Sequence, residues 1–279
     1  MATKLPPPCT PGCRVAVVFP AGRAADATIG LSLLEQWGLQ PVIHDPFSPR
    51  LADEEEGGAF LARCFNTCLP DEERARALEA AFLDESCAAV VCGRGGYGCM
   101  RLLELLDWGK LTPAVLQSKR FVGFSDITAL HLAFAGQCDG LVTLHGPMPA
   151  SCFASIPPDD ATRLRAALFG GAPELLPPLP GTPLHAAPAQ RRVVGRLLGG
   201  NLALLSAMVG SRWCPAALAA RSGLPIVLAL EDIGEPPYRL DRMWQQLRLA
   251  GILEHTAAIL LGNFVPRAKA ASRYSVRLS

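Results

Sequence analysis

The sequence predicts an α/β protein built on a mainly parallel sheet. Three observations predict it: apolar runs of strand length, stretches with helical spacing of apolar residues between them, and Gly or Pro at the junctions. Arg14 to Phe19 is the first run, stopping at Pro20 and Gly22. Ile29 to Trp37 reads as a helix closed by Gly38, and Gln40 to His44 as a second strand. Asp71 to Leu83 has helical spacing, and Cys87 to Cys92 is a third strand. Lys119 to Gly123 rises into a fourth, and from Asp126 the apolar positions suit an amphipathic helix. Sheets of this kind carry their ligands at the carboxyl ends of the strands.

From Ile156 to Gln190 eight prolines interrupt the pattern, so residues 156–190 are expected to be a linker without regular elements. It separates an N-terminal α/β domain, residues 1–155, from a smaller mixed α/β domain, residues 191–279. In the latter, Ala203 to Met208 and Leu240 to Leu249 read as helices, the second ended by Gly251. Pro225 to Leu230 and Ala257 to Leu261 read as strands.

Composition narrows the function. Half of the 279 residues are hydrophobic and 18% are charged, enough apolar surface for a sizeable core. Lys and Arg number 26 against 25 acidic residues, and no basic block or basic stripe interleaved with aromatics occurs, so nucleic acid is not the expected partner. No stretch approaches membrane-spanning length and the N-terminal residues lack a signal-peptide core, which points to the cytoplasm. Several of the ten cysteines (Cys87, Cys92, Cys138) fall in apolar contexts, where a reduced thiol acts as a small hydrophobe. Cys9 with Cys13 and Cys64 with Cys68 could in principle supply four thiolates to zinc, but their spacing is not the usual C-x-x-C, and no metal is expected.

The chemistry concentrates at Phe121-Val122-Gly123-Phe124-Ser125-Asp126-Ile127-Thr128. Ser125 falls between a strand and a helix, where a hydroxyl is presented to solvent and the next backbone N–H can steady developing negative charge. The bland reading is an N-cap serine. Gly93-Arg94-Gly95-Gly96-Tyr97-Gly98 formally satisfies G-x-G-x-x-G. It lies in a later βα unit, and no acidic residue ends a next strand about 20 residues on, so no dinucleotide cofactor is expected. Those glycines let backbone N–H groups approach a substrate oxygen: one from Gly96, paired with that of Asp126, would form an oxyanion hole. Glu231, first after an apolar strand and followed by Asp232 and Glu235, could orient a histidine. The histidines His44, His131, His145, His185 and His255 carry no base signature of their own.

Taken in order, these motifs resemble the LD-carboxypeptidases, the serine peptidase family that includes the microcin C immunity proteins. The resemblance rests on Gly93 to Gly98 with Arg101-Leu102-Leu103 and Asp107-Trp108, on Gly123 to Thr128, and on His145-Gly146-Pro147-Met148. It continues through Gly199-Gly200-Asn201-Leu202 and Leu230-Glu231-Asp232 with Tyr238, Asp241-Arg242 and Gly251. It implies a flavodoxin-like N-terminal domain carrying the nucleophile Ser125 and a C-terminal domain carrying Glu231 as the acid of a Ser-Glu-His triad, with no metal or cofactor. It further implies removal of the terminal D-alanine from murein tetrapeptides in cytoplasmic wall recycling, and a possible homodimer. Arg101 is a candidate for meeting the substrate carboxylate. The family's catalytic histidine lies in a C-terminal Gly-His segment. The basic run from Arg267 to Ser279 does not follow it, so a truncated second domain without that base is expected, and with it the alternative of a non-catalytic relative that binds D-alanine-terminated peptides.

Overall fold

The computed structural model describes residues 5–24, 26–44, 67, 69–171 and 193–265. The chain divides into two compact units, residues 1–171 and 172–279.

Unit one is a five-stranded parallel sheet: β1 (Arg14–Val18), β2 (Gln40–Ile43), β3 (Cys87–Cys92), β4 (Arg120–Gly123) and β5 (Leu144–His145). Their spatial order is β2-β1-β3-β4-β5, the flavodoxin-like order that the resemblance implied. The inner strands are buried on both faces, as a parallel sheet covered by helices requires: Val15 to Val18 are at 0% exposure and all of β4 is buried. Helix α1 (Thr28–Gln36) turns Gly30 and Leu34 inward. A Cβ on Gly30 would lie 2.2 Å from the Pro149 carbonyl oxygen, so that close approach requires glycine. Helix α2 (Asp71–Leu83) begins with three acidic residues, the favourable sign at a helix N-terminus. Two short helices, α3 (Cys99–Leu102) and α4 (Pro113–Gln117), lead into β4.

Two local expectations fail for physical reasons. Helix α5 (Thr128–Gln137) is not amphipathic; every residue from Thr128 to Gly136 is buried, because the run is apolar around its whole circumference. Residues 158–168, expected to be irregular linker, form helix α6 (Pro158–Leu168). Pro158 occupies the first turn, where a missing N–H costs nothing, and Asp159 and Asp160 follow it there; the sequence reading counted prolines without weighing their position. The rest of the expected linker, from 172 to 190, lies outside the described residues.

Unit two holds a three-stranded parallel sheet of order β6-β7-β8, formed by β6 (Arg196–Asn201), β7 (Ile226–Ile233) and β8 (Thr256–Val265). Helices α7 (Leu202–Ala207), α8 (Pro215–Ser222) and α9 (Pro237–Leu249) connect and cover them. Among the described residues no helix is long and apolar enough to cross a membrane.

Candidate active site

Ser125 follows β4 and opens a short 3₁₀ turn, Ser125–Ile127, that runs into α5. Its φ is +63°, and it is the one non-glycine residue with positive φ among the described residues. An L-residue in the left-handed region costs roughly 1–2 kcal/mol, and such strain concentrates where geometry serves a site. The N-cap reading of this serine finds no support: Phe124 is the cap of the 3₁₀ turn, Ile127 that of α5, and neither makes a side-chain capping bond.

The glycine loop after β3 faces this corner. A Cβ built on Gly95 would stand 3.0 Å from Ser125 Cβ and 3.2 Å from its Oγ, so the loop backbone lies against the hydroxyl. Gly96 is exposed, and Gly98 adopts φ +118° with the Arg74 guanidinium behind it. Asp126 is 2% exposed, and its Oδ2 accepts the Cys99 backbone N–H at 2.8 Å. That bond ties the residue after the serine to the end of the glycine loop. Burial raises the Asp126 pKa, with the Cys99 hydrogen bonds and the charge of Arg74 opposing it.

Behind the loop Arg74 is fully buried, donating through Nε to the Leu69 carbonyl at 3.1 Å, through Nη1 to the Pro20 carbonyl, and through Nη2 to Asp71. The other Asp71 oxygen takes Arg101, with Nε at 2.6 Å and Nη2 at 2.5 Å. Arg101, the sequence candidate for a substrate carboxylate, therefore already holds one.

The histidines nearest this corner are committed or weakly basic. His131 is within 2.8 Å of the Gly123 carbonyl oxygen through Nε2 and 2.7 Å of Thr143 Oγ1 through Nδ1, and burial pushes its pKa down to about 4. His145 lies in register with Gly123; burial and the neighbouring His131 lower it to about 3, and its Nδ1 is buried without a partner. His255 ends a turn before β8, and His185 lies outside the described residues.

At the end of β7 in unit two, three carboxylates diverge in their use. Asp232 is buried and receives the N–H of Ala203 at 3.0 Å and that of Ile233 at 2.7 Å, with the Asn201 amide at 3.3 Å. Glu235 pairs with exposed Arg239 at 3.1 Å. Glu231 is the remaining one: its Oε1 is buried without a partner. Desolvation and the charge of Asp232 raise its pKa to about 7 against a lowering hydrogen bond from Asn201. The glycine-rich motif before it has a structural use, since Asn201 caps α7 by accepting the Leu204 N–H at 3.2 Å.

The other sequence candidates play no part at this corner. Burial and Cys13 push the Cys9 thiol up to about 12, and Cys64 and Cys68 lie outside the described residues. Sequence reasoning passed over a different trio, His44, Asp84 and Cys87, whose ligand atoms lie within 4.8 Å of one another. Scattered over 44 positions, they have no motif spacing to reveal them. Arg74 and Asp71 were passed over too, because a charged pair at the start of a helix reads as a solvated turn.

Comparison with known proteins places the chain in a family. Residues 15–146 match the LD-carboxypeptidase N-terminal domain and residues 194–277 the LD-carboxypeptidase C-terminal domain. The second match runs across most of the basic stretch from Arg267, correcting the reading of that stretch as foreign to the family. A provisionally named carboxypeptidase of Streptomyces coelicolor is 43% identical over 91% of this chain and 76% of its own length. The murein tetrapeptide carboxypeptidase of Pseudomonas aeruginosa is 38% identical over 92% of this chain and 79% of its own. The crystal structure of muramoyltetrapeptide carboxypeptidase from Oxalobacter formigenes superposes with a TM-score of 0.67 at 27% identity, covering 90% of this chain and 76% of that one. The chain belongs to the LD-carboxypeptidase family, a family of serine carboxypeptidases.

Proposed function

We propose that this protein is a serine LD-carboxypeptidase that removes the terminal D-alanine from murein tetrapeptides in the cytoplasm during wall recycling. The observation that carries the reading is the backbone of Ser125, held at φ +63° at a strand end against the glycine loop. Ser125 Oγ attacks the scissile carbonyl as its proton passes to a base. The N–H groups of Gly96 and Asp126 hold the oxyanion, the D-alanine amine leaves with the proton that the base passes on to it, and water cleaves the acyl-enzyme ester and restores the Ser125 hydroxyl. Glu231 is the triad acid, and its unpartnered oxygen suits an imidazole N–H that would also draw its pKa down. His131 has both ring nitrogens bonded, and burial holds both His131 and His145 below the usual imidazole range, which argues against either as the base. Names among the relatives support the substrate: two of them are named for carboxypeptidase action on murein peptides.

The second reading is a relative that binds D-alanine-terminated peptides without cleaving them, and what supports it is the bonding of His131, whose ring nitrogens lie on Gly123 and Thr143 and not on Ser125. One assay separates the two: release of D-alanine from the tetrapeptide by the purified chain beside Ser125→Ala. Release abolished by the substitution establishes the peptidase. Release that survives it removes Ser125 as nucleophile, and saturable binding without release gives the second reading.

A further inference from the structure

We propose that Arg94 receives the C-terminal carboxylate of the peptide, in the crevice between the loops that follow β1 and β3. The inference rests on the preceding reading that the substrate ends in a free carboxylate. In an open α/β sheet of this strand order the chain turns from one side of β1 to the other between β2 and β3, and ligands settle outside the strand ends at that switch point. The loops after β1 and β3 form its rims and touch directly: the Gly22 N–H donates to the Gly95 carbonyl at 3.0 Å. Arg94 bridges the same rims, its Nη1 donating to the Arg23 carbonyl. It stands one residue before Gly95, the residue packed against Ser125.

Elimination among the neighbouring cations leads to the same residue. Arg74 has no exposure and uses its nitrogens on Leu69, Pro20 and Asp71, while Arg101 is held by Asp71. Arg23 is exposed, where a single ion pair is worth little. Arg94 is half-buried and forms no ion pair with a carboxylate among the described residues. A guanidinium anchored at one nitrogen and open at the others suits a planar carboxylate, which it can meet with two parallel hydrogen bonds.

The test compares the murein tetrapeptide with its C-terminal carboxamide, measuring both dissociation constants by calorimetry in a Ser125→Ala background that prevents turnover, for the chain with wild-type Arg94 and Arg101 and for Arg94→Gln, Arg94→Lys and Arg101→Gln. The expected result is wild-type preference for the acid of about tenfold or more. Arg94→Gln should bring the two within about twofold, Arg94→Lys should keep part of the preference, and Arg101→Gln should leave it intact. A preference that survives Arg94→Gln, one that collapses in Arg101→Gln, or a wild-type chain that does not distinguish the two peptides overturns the proposal. Melting temperatures of the variants separate lost recognition from lost folding. D-alanine release, measured separately, tests the peptidase reading: acid-selective binding without release keeps Arg94 and rejects the peptidase, and release with an Arg94-independent preference does the reverse.

Discussion

The serine corner of unit one and the strand end of unit two meet the cost of buried charge in opposite ways. Behind Ser125 the buried charges are answered: Arg74 by two carbonyls and Asp71, Asp71 by Arg74 and Arg101, Asp126 by the Cys99 N–H. The strain there is kept in the backbone. At the end of β7 the pairing with β8 shifts register between Leu230 and Asp232 but no side-chain-bearing residue there has a positive φ, and the cost sits in a carboxylate with an unpartnered oxygen. The difference teaches what each place prepares. A backbone strained by its fold and backed by a satisfied network is a finished geometry, whereas an unsatisfied acid is one that gains stability when its partner arrives.

This comparison is tested by the sign of the stability change. Arg74→Met removes the centre of the satisfied network and strands the Leu69 and Pro20 carbonyls, so it should destabilise unit one by about 3 kcal/mol in urea unfolding. A change under about 1 kcal/mol would remove the network from the account. Glu231→Gln should act in the opposite direction. The Glu231 pKa is raised from 4.5 to about 7, so between those values the folded chain keeps a proton that the unfolded chain releases, and stability is lost as pH rises through that window. Neutralising the group removes that loss, and the variant should be more stable by on the order of 2 kcal/mol at pH 8 and equal to wild type near pH 4. A gain independent of pH would show that ionisation is not the cause.

Smaller effects sharpen the account of the corner. Asp126→Ala leaves the Cys99 N–H without its acceptor and should cost about 1–2 kcal/mol, while Asp126→Asn keeps an acceptor oxygen and should cost under about 1 kcal/mol. Equal losses in the two variants would mean that the charge, not the hydrogen bond, holds the loop. Ser125→Gly relieves the left-handed strain at the price of a freer unfolded chain, and should raise stability by about 0.5 kcal/mol. A loss of stability in that variant would show that the hydroxyl, not the backbone, is the strained element's counterweight.

What the sequence by itself determined was whatever depends on local order. Alternating apolar runs and turn residues gave the strands β1 to β4 and the helices α1 and α2 in their order, but not the short α3 and α4, and the strand-to-helix junction located Ser125. The same local logic misjudged α6, where the position of a proline mattered more than the number of prolines, and α5, whose burial depends on what surrounds it. The tertiary structure alone decided how the charges are spent. That Arg101 belongs to Asp71, that Arg94 bridges two loops, and that Glu231 keeps an open oxygen while Asp232 beside it is satisfied are outcomes of burial and of partners 29 to 71 positions away. A charged residue carries the same letter in every environment. Its hydrogen-bond partners and its distance from water settle its role, and both exist only once the sheet has formed.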